Sequence, residues 1–405
     1  MNTTEKIQTY LNDPKIVSVN TVDSHSDHKY FESLAEFSEG EMKLRQSLNG
    51  KWKIHYAQNT NQVLKDFYKT EFDETDLNFI NVPGHLELQG FGSPQYVNTQ
   101  YPWDGKEFLR PPQVPQESNA VASYVKHFTL NDALKDKKVF ISFQGVATSI
   151  FVWVNGNFVG YSEESFTPSE FEISDYLVEG DNKLAVAVYR YSTASWLEDQ
   201  DFWRLYGIFR DVYLYAIPKV HIQDLFVKGD YDYQTKAGQL DIDLKTVGDY
   251  EDKKIKYVLS DHEGIVTEGD ASVNADGELS VSLEDLQIKP WSAESPKLYN
   301  LTLHVLDDDQ VVEVVPVKVQ AKDTNGTVAE TTYTPKITPV VPTADPATST
   351  DIQGKTQTGT PSFKPGNPAI PMDDDVPATF EDGSTTKTIP GVGTYTVAAD
   401  GTVTF

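Results

Sequence analysis

From Ser47 onward, apolar and polar residues alternate with a period of two, the spacing that puts one face of a strand in a core. In Ser47-Leu-Asn-Gly-Lys-Trp-Lys-Ile-His-Tyr-Ala57 the residues Trp52, Ile54 and Tyr56 share a face, and Val139, Ile141 and Phe143 repeat the signal. Phe151 and Trp153 then lead into Asn155-Gly156 before Phe158 and Tyr161. Asn-Gly between two such runs predicts a hairpin, because its type I′ turn needs positive φ at both central positions. Leu184-Ala-Val-Ala-Val-Tyr-Arg-Tyr191 is nearly apolar on both sides, which predicts a central strand. Helical periodicity is almost missing between 45 and 216, so this stretch is expected to be an antiparallel jelly-roll sandwich with its ligand contacts on loops.

A second all-β unit is expected over 217–320. Leu240, Ile242 and Leu244 alternate with Asp241 and Asp243, and further short strands follow at 255–259, 279–281 and 298–305, with Glu263-Gly264 as a turn. That spacing over about a hundred residues predicts an immunoglobulin-like sandwich. Residues 1–44 lack a sustained period and read as an extended N-terminal arm, with one helix near 31–45, that packs on a neighbouring subunit. Beyond 321 the composition shifts to Thr, Pro, Gly and Asp, and Trp, His and Arg cease. Residues 321–358 read as linker-like, for want of apolar residues to offset ordering entropy. Residues 359–405 read as a partial β-rich repeat ending in a hairpin that turns at Asp400-Gly401.

A formal net charge of -27 disfavours nucleic acid and anionic membranes and suits a neutral or cationic ligand. The chain has no cysteine, which excludes disulfides and thiolate metal sites. Its first ten residues contain no apolar signal segment, so the expected location is the cytoplasm.

The richest candidate chemistry lies in Trp196-Leu-Glu-Asp-Gln-Asp-Phe-Trp-Arg-Leu-Tyr-Gly-Ile-Phe-Arg210. Acids beside indole rings and guanidinium forks suit a sugar, which offers hydroxyls to bond and a C–H face to stack; a buried ion-pair network explains the same residues. A retaining glycosidase needs two carboxyl groups about 5–5.5 Å apart. Glu198, Asp199, Asp201, Glu163 and Glu164 are the candidates, yet sequence neighbours on regular strands point to opposite faces. Loops can evade that rule, so strand geometry alone leaves these five open. The histidines lack an i, i+4 pair, Gly90-Phe-Gly92 reads as a turn, and Asp373-Asp-Asp375 reads as a solvated loop rather than a calcium site.

Several motifs together resemble one family: Val82-Pro-Gly84, Gln95-Tyr-Val-Asn-Thr-Gln-Tyr-Pro102, Phe143-Gln-Gly-Val146, Thr167-Pro-Ser-Glu-Phe171, Glu198-Asp-Gln-Asp-Phe-Trp-Arg204, Gly207-Ile-Phe-Arg210 and Trp291-Ser-Ala-Glu-Ser-Pro-Lys-Leu-Tyr299. They are similar to the front part of the large bacterial β-galactosidases of glycoside hydrolase family 2, over about 15–320. The resemblance implies a jelly-roll sugar-binding domain followed by an immunoglobulin-like sandwich. It also implies that Asn98 and Asp201 reach a galactose subsite and that Asp201 helps hold sodium. In that family a (β/α)₈ barrel follows, with both catalytic glutamates, the magnesium ligands and the other sodium ligands. The resemblance thus implies that none of the five carboxylates above is catalytic. Such a barrel takes about 250 residues, and only 84 follow Ala321 here. The expectation is therefore an all-β chain with no barrel, an incomplete sodium site, no cofactor of its own and no turnover by itself. Residues 359–405 resemble instead the repeats of CshA-type fibrillar surface adhesins, in Gly359-Thr-Pro-Ser-Phe-Lys-Pro-Gly-Asn-Pro-Ala-Ile-Pro371 and Thr379-Phe-Glu-Asp-Gly-Ser-Thr-Thr-Lys-Thr-Ile-Pro390. A surface glycan-binding module, or a subunit awaiting a separately encoded barrel, are the competing readings.

Overall fold

A computed structural model describes residues 3–198, 201–250, 253–307, 310–319, 321–322, 343–345, 348, 350, 355–360, 362–364, 378–380, 383–390, 392–400 and 402–405. Asp199, most of 321–358, the Asp373-Asp-Asp375 run and Gly401 lie outside them. The chain divides into two units, Met1–Gly326 and Thr327–Phe405.

The first unit opens with a sandwich of two antiparallel sheets. One sheet has seven strands, in the order Ser18–Val19, Asn157–Ser162, Ser149–Val154, Asp181–Tyr189, Val121–Thr129, Gly50–Ala57 and Asn78–Val82. Facing it are Ser169–Glu172, Lys138–Phe143, Val212–Ile217 and Arg45–Ser47. Alternate residues of both sheets fill the space between them: Trp52, Ile54, Tyr124, Val152, Leu184 and Val186 from the first, and Ile141, Phe143, Phe171 and Leu214 from the second. The expected hairpin joins Ser149–Val154 to Asn157–Ser162, with φ of 49° at Asn155 and 81° at Gly156. The expected central strand, Asp181–Tyr189, pairs on both sides. Its outward residues Ala185, Ala187 and Tyr189 are buried as well, which accounts for a run apolar on both faces.

The cover over that outer face comes from the arm. Residues Thr3–Asn12 are an α-helix, where the sequence suggested extended chain; Ile7, Tyr10 and Leu11, spaced i, i+3, i+4, lie against Phe151 and Tyr161. A second helix, Leu34–Glu39, falls where one was expected. The Ser33 hydroxyl caps it at the Glu36 N–H, and Gly40 ends it in the left-handed region at φ 75°.

The second sandwich has two four-stranded sheets. Glu278–Leu286, Ala237–Val247, His221–Asp232 and Ala321–Lys322 form one; Gly264–Ser272, Lys253–Asp261, Tyr299–Asp307 and Gln310–Val319 form the other. Ile222, Leu240, Ile242, Ile255, Leu301, Leu303 and Val315 are its core. The parallel contact of Gly229–Asp230 with Ala321–Lys322 is an isolated pair of residues, and no sheet among the described residues closes into a barrel.

Between its helices the arm stitches the two sandwiches together. His25 meets Glu170 of the first at 2.7 Å; the Ser26 amide donates to Asp224 of the second at 2.8 Å, and the His28 ring to the Ile222 carbonyl at 2.9 Å. Phe31 pairs backbone to backbone with Val314. The arm's buried side chains Leu11, Tyr30 and Phe31 are thus spent within its own chain.

In the second unit, Thr343–Asp345, expected to be linker, pairs with Ser362–Lys364. Thr358–Gly359, Val403–Thr404, Gly393–Val397 and Thr386–Ile389 form a small sheet, in which Tyr395 stacks on Phe405. Asp400 accepts from the Thr402 N–H at the hairpin turn.

Candidate functional site

The stretch from Trp196 to Arg210 separates into buried support and an exposed ribbon. Trp196, on the one-turn helix Ser195–Glu198, packs edge-on to Trp103 at 4.9 Å and donates its indole N–H to the Gln113 carbonyl. Tyr101 and Tyr191 complete that aromatic cluster. Farther along, Phe202–Arg204 pairs antiparallel with Gln95–Val97 in the register Phe202 to Val97, Trp203 to Tyr96 and Arg204 to Gln95. Asp201 and Asn98 are the residues next to the last pair, Phe202 with Val97. Two motifs over a hundred residues apart thus meet at one end of a two-stranded ribbon.

Both residues are exposed there. Asp201 takes φ 47°, a left-handed conformation that Asp tolerates better than most side chains. Its carboxylate accepts from the Tyr96 hydroxyl at 2.6 Å, and this bond holds the phenol pKa above its ordinary value. Tyr96 was not singled out in the sequence, although it stands inside the Tyr-x-Asn motif. Behind the ribbon, the Arg190 guanidinium donates to Gln95 at 3.3 Å and lies 4.4 Å over the Tyr206 ring. Beside it, Tyr96, Phe166, Phe202 and Trp203 are 51%, 44%, 52% and 62% exposed, in two pairs, Tyr96 with Trp203 and Phe166 with Phe202. A hollow of about 230 Å³ opens next to them, lined by Thr148, Ser165, Glu198 and Phe209 among others.

The other carboxylates are engaged elsewhere. Glu163 is buried and accepts from Thr193 at 2.7 Å and from Tyr161 at 3.2 Å, whereas its neighbour Glu164 is exposed. Glu198 accepts from Ser165 at 2.7 Å. Among the described residues no cluster of three or more metal-ligating side chains occurs. At Asp201 the hydrogen bond from Tyr96 brings a phenol oxygen beside the carboxylate. Glycines 90 and 92 both lie in the left-handed region, at φ 89° and 87°, as a turn requires.

Residues 45–218 match the glycosyl hydrolases family 2 sugar-binding domain, and residues 220–320 match a further glycosyl hydrolases family 2 domain. Over residues 45–320 the chain belongs to glycosyl hydrolase family 2. Its residues 339–405 match the surface adhesin CshA repetitive domain. Over 319 residues the chain is 97% identical to a β-galactosidase of Streptococcus thermophilus, covering 79% of this chain and 31% of that protein. It is 42% identical over 323 residues to a β-galactosidase large subunit of Leuconostoc lactis, covering 76% of this chain and 51% of the relative. The chain therefore spans between about a third and a half of these relatives' length. Among solved structures, a Bifidobacterium dentium β-glucuronidase superposes with a TM-score of 0.54 at 16% identity, covering 69% of this chain and 49% of that one; this is likeness of fold alone. The family-2 resemblance, the all-β architecture and the adhesin-type tail read from the sequence all hold.

Proposed function

We propose that residues 45–320 are the sugar-binding and scaffold part of a retaining β-galactosidase acting on terminal β-D-galactosides such as lactose. The observation that carries this reading is the ribbon, at one end of which Asn98 and Asp201 stand exposed, close to the exposed aromatic residues Tyr96, Phe202 and Trp203. In the proposal these two side chains hydrogen-bond a galactose whose reacting bond is cleaved by acids of a (β/α)₈ barrel seated against those residues. The 405-residue chain alone then has no turnover. An assay with nitrophenyl β-D-galactoside, compared with a mock preparation, should show no excess release of nitrophenol; release that scales with this chain would defeat the proposal.

Sodium supplies charge at Asp201 only when further oxygens join it. Exchange of sodium for potassium at constant ionic strength should accordingly leave the thermal midpoint of this chain unchanged. A sodium-specific rise would mean that the chain completes the cation site by itself.

The relatives named as large subunits favour one variant of the reading, in which the rest of the enzyme is a separate polypeptide. Activity that appears only on mixing with such a partner would establish it. The adhesin-type match favours another, a glycan-binding module displayed on the cell surface. Fractionation separates them: the enzyme reading places the chain in the cytoplasm, and recovery from the wall fraction supports display.

A further inference from the structure

A cleft of about 870 Å³ separates the two sandwiches beneath the arm, a size typical of small-molecule sites. Its walls come from three parts of the chain: His25 and Tyr30 of the arm, Phe140 and Tyr215 of the first sandwich, and His221 at the start of the second. It shares no lining residue with the hollow beside the Asn98 and Asp201 ribbon.

Two polar atoms that open into this cleft, on otherwise buried residues, lack protein partners among the described residues. Tyr30 is 4% exposed, and its hydroxyl has no hydrogen bond among the described residues. His221 is 3% exposed. Its Nδ1 must donate to the Pro218 carbonyl, 2.9 Å away, because a carbonyl can only accept. Burial pushes this imidazole down to about 4, so the ring is neutral at physiological pH and Nε2 is an acceptor, again without a partner among the described residues. Facing the cleft, both atoms are free to bond to whatever occupies it, water or a ligand hydroxyl.

The lining also defines the ligand class. A phenol that donates and accepts, beside an imidazole that accepts, matches alcohol hydroxyls. Phe140 and Tyr215, stacked at 5.2 Å and 21°, give an apolar wall for a C–H face. The charged side chains of the lining are three lysines, Lys137, Lys138 and Lys219, against three carboxylates, Asp136, Glu172 and Asp175, so the rim carries no net charge apart from His25, which faces Glu170 at 2.7 Å. Nothing there calls for an anion. We propose that the cleft between the sandwiches binds a small neutral saccharide. This proposal stands independently of the galactoside reading of the ribbon.

Saturation-transfer NMR and calorimetric titration of the 405-residue chain, with the methyl β-glycosides of galactose and glucose, test it, with galacturonate as an anionic control. Binding of a neutral glycoside at millimolar concentration is expected. It should survive Asp201→Asn, weaken about fivefold in Tyr30→Phe through loss of one hydrogen bond, and vanish in Val247→Trp. Val247 is 41% exposed and lines the cleft, so added bulk there blocks it without disturbing the core. A thermal melt of each variant establishes that it is folded, and Val247→Trp alone decides should Tyr30→Phe fail to fold. No glycoside binding by the parent chain, binding unchanged in both cleft variants, or preference for galacturonate would each overturn the proposal.

Discussion

Glu313→Gln will stabilise the second sandwich by a few kcal/mol at pH 8 and by almost nothing at pH 4. Glu313 lies on Gln310–Val319 with its side chain fully buried. One carboxyl oxygen accepts from the Ile222 N–H at 2.9 Å, and the other has no partner. Burial pushes its pKa from the ordinary 4.5 up to about 8, against the smaller opposing pull of the Ile222 amide. A folded-state pKa above the unfolded one gives stability that is complete below about 4.5. That stability is lost as pH rises towards 8, because the unfolded chain releases the proton first. Each tenfold change in proton affinity is about 1.4 kcal/mol, so the loss has an upper limit of roughly 4–5 kcal/mol at pH 8. Glutamine keeps the acceptor for Ile222 and never ionises, and it removes the pH-dependent loss while adding little at pH 4. Urea unfolding across this range measures it; a difference between variant and parent that does not grow with pH would mean that the carboxyl reaches water.

Glu313 also shows what the sequence could not convey. A lone Glu in Gln-Val-Val-Glu-Val-Val looks like the polar side of an edge strand. Its burial follows from the arm, since Phe31 pairs with the adjacent Val314 and Tyr30 lies close by. No local pattern announces that residues near 30 will cover a strand near 314. The same limit hid the helix Thr3–Asn12, whose apolar stripe of three residues acquires meaning only from the sheet beneath it. By contrast, the hairpin at Asn155-Gly156 and the central strand at 184–189 were legible, because turn chemistry and two-sided apolarity are local properties. The candidate site was legible through its motifs and not through periodicity. Strands of three residues, such as Gln95–Val97 and Phe202–Arg204, are too short to display alternation. Tyr96 went unnoticed for a related reason: its role depends on the cross-strand register that aims its hydroxyl at Asp201.

Glu74→Ala should be the most damaging single change on the outer face of the seven-stranded sheet, costing about 3–5 kcal/mol. Lys183, from the central strand, is 3% exposed and directs its ammonium to Glu74 at 3.0 Å and to the Lys69 carbonyl at 2.7 Å. His127 meets the same carboxylate at 3.0 Å, and Lys53 at 3.5 Å. Removing the carboxylate leaves the Lys183 charge buried with one carbonyl and the face of Phe72, 5.4 Å away. Pairing Glu74→Ala with Lys183→Met should recover most of the loss, since the apolar pair has no charge to strand; equal damage in single and double variants would show that Lys183 reaches solvent. The pH dependence separates this from simple loss of packing. Burial alone would raise the Glu74 pKa, but the hydrogen bonds from His127 and Lys183 outweigh it and hold the carboxyl below its ordinary value. Its contribution is present above about pH 4.5 and is lost as pH falls through the folded value. Burial opposes the shift of His127, yet Glu74 and Asp181 raise it, so that contribution is complete below about 6.5 and is lost as pH rises through the folded value. Parent and Glu74→Ala should therefore differ most between these two limits, by less above the folded His127 value, where the Lys183 and Lys53 pairs remain, and least below the folded Glu74 value, a profile that deletion of apolar atoms cannot produce.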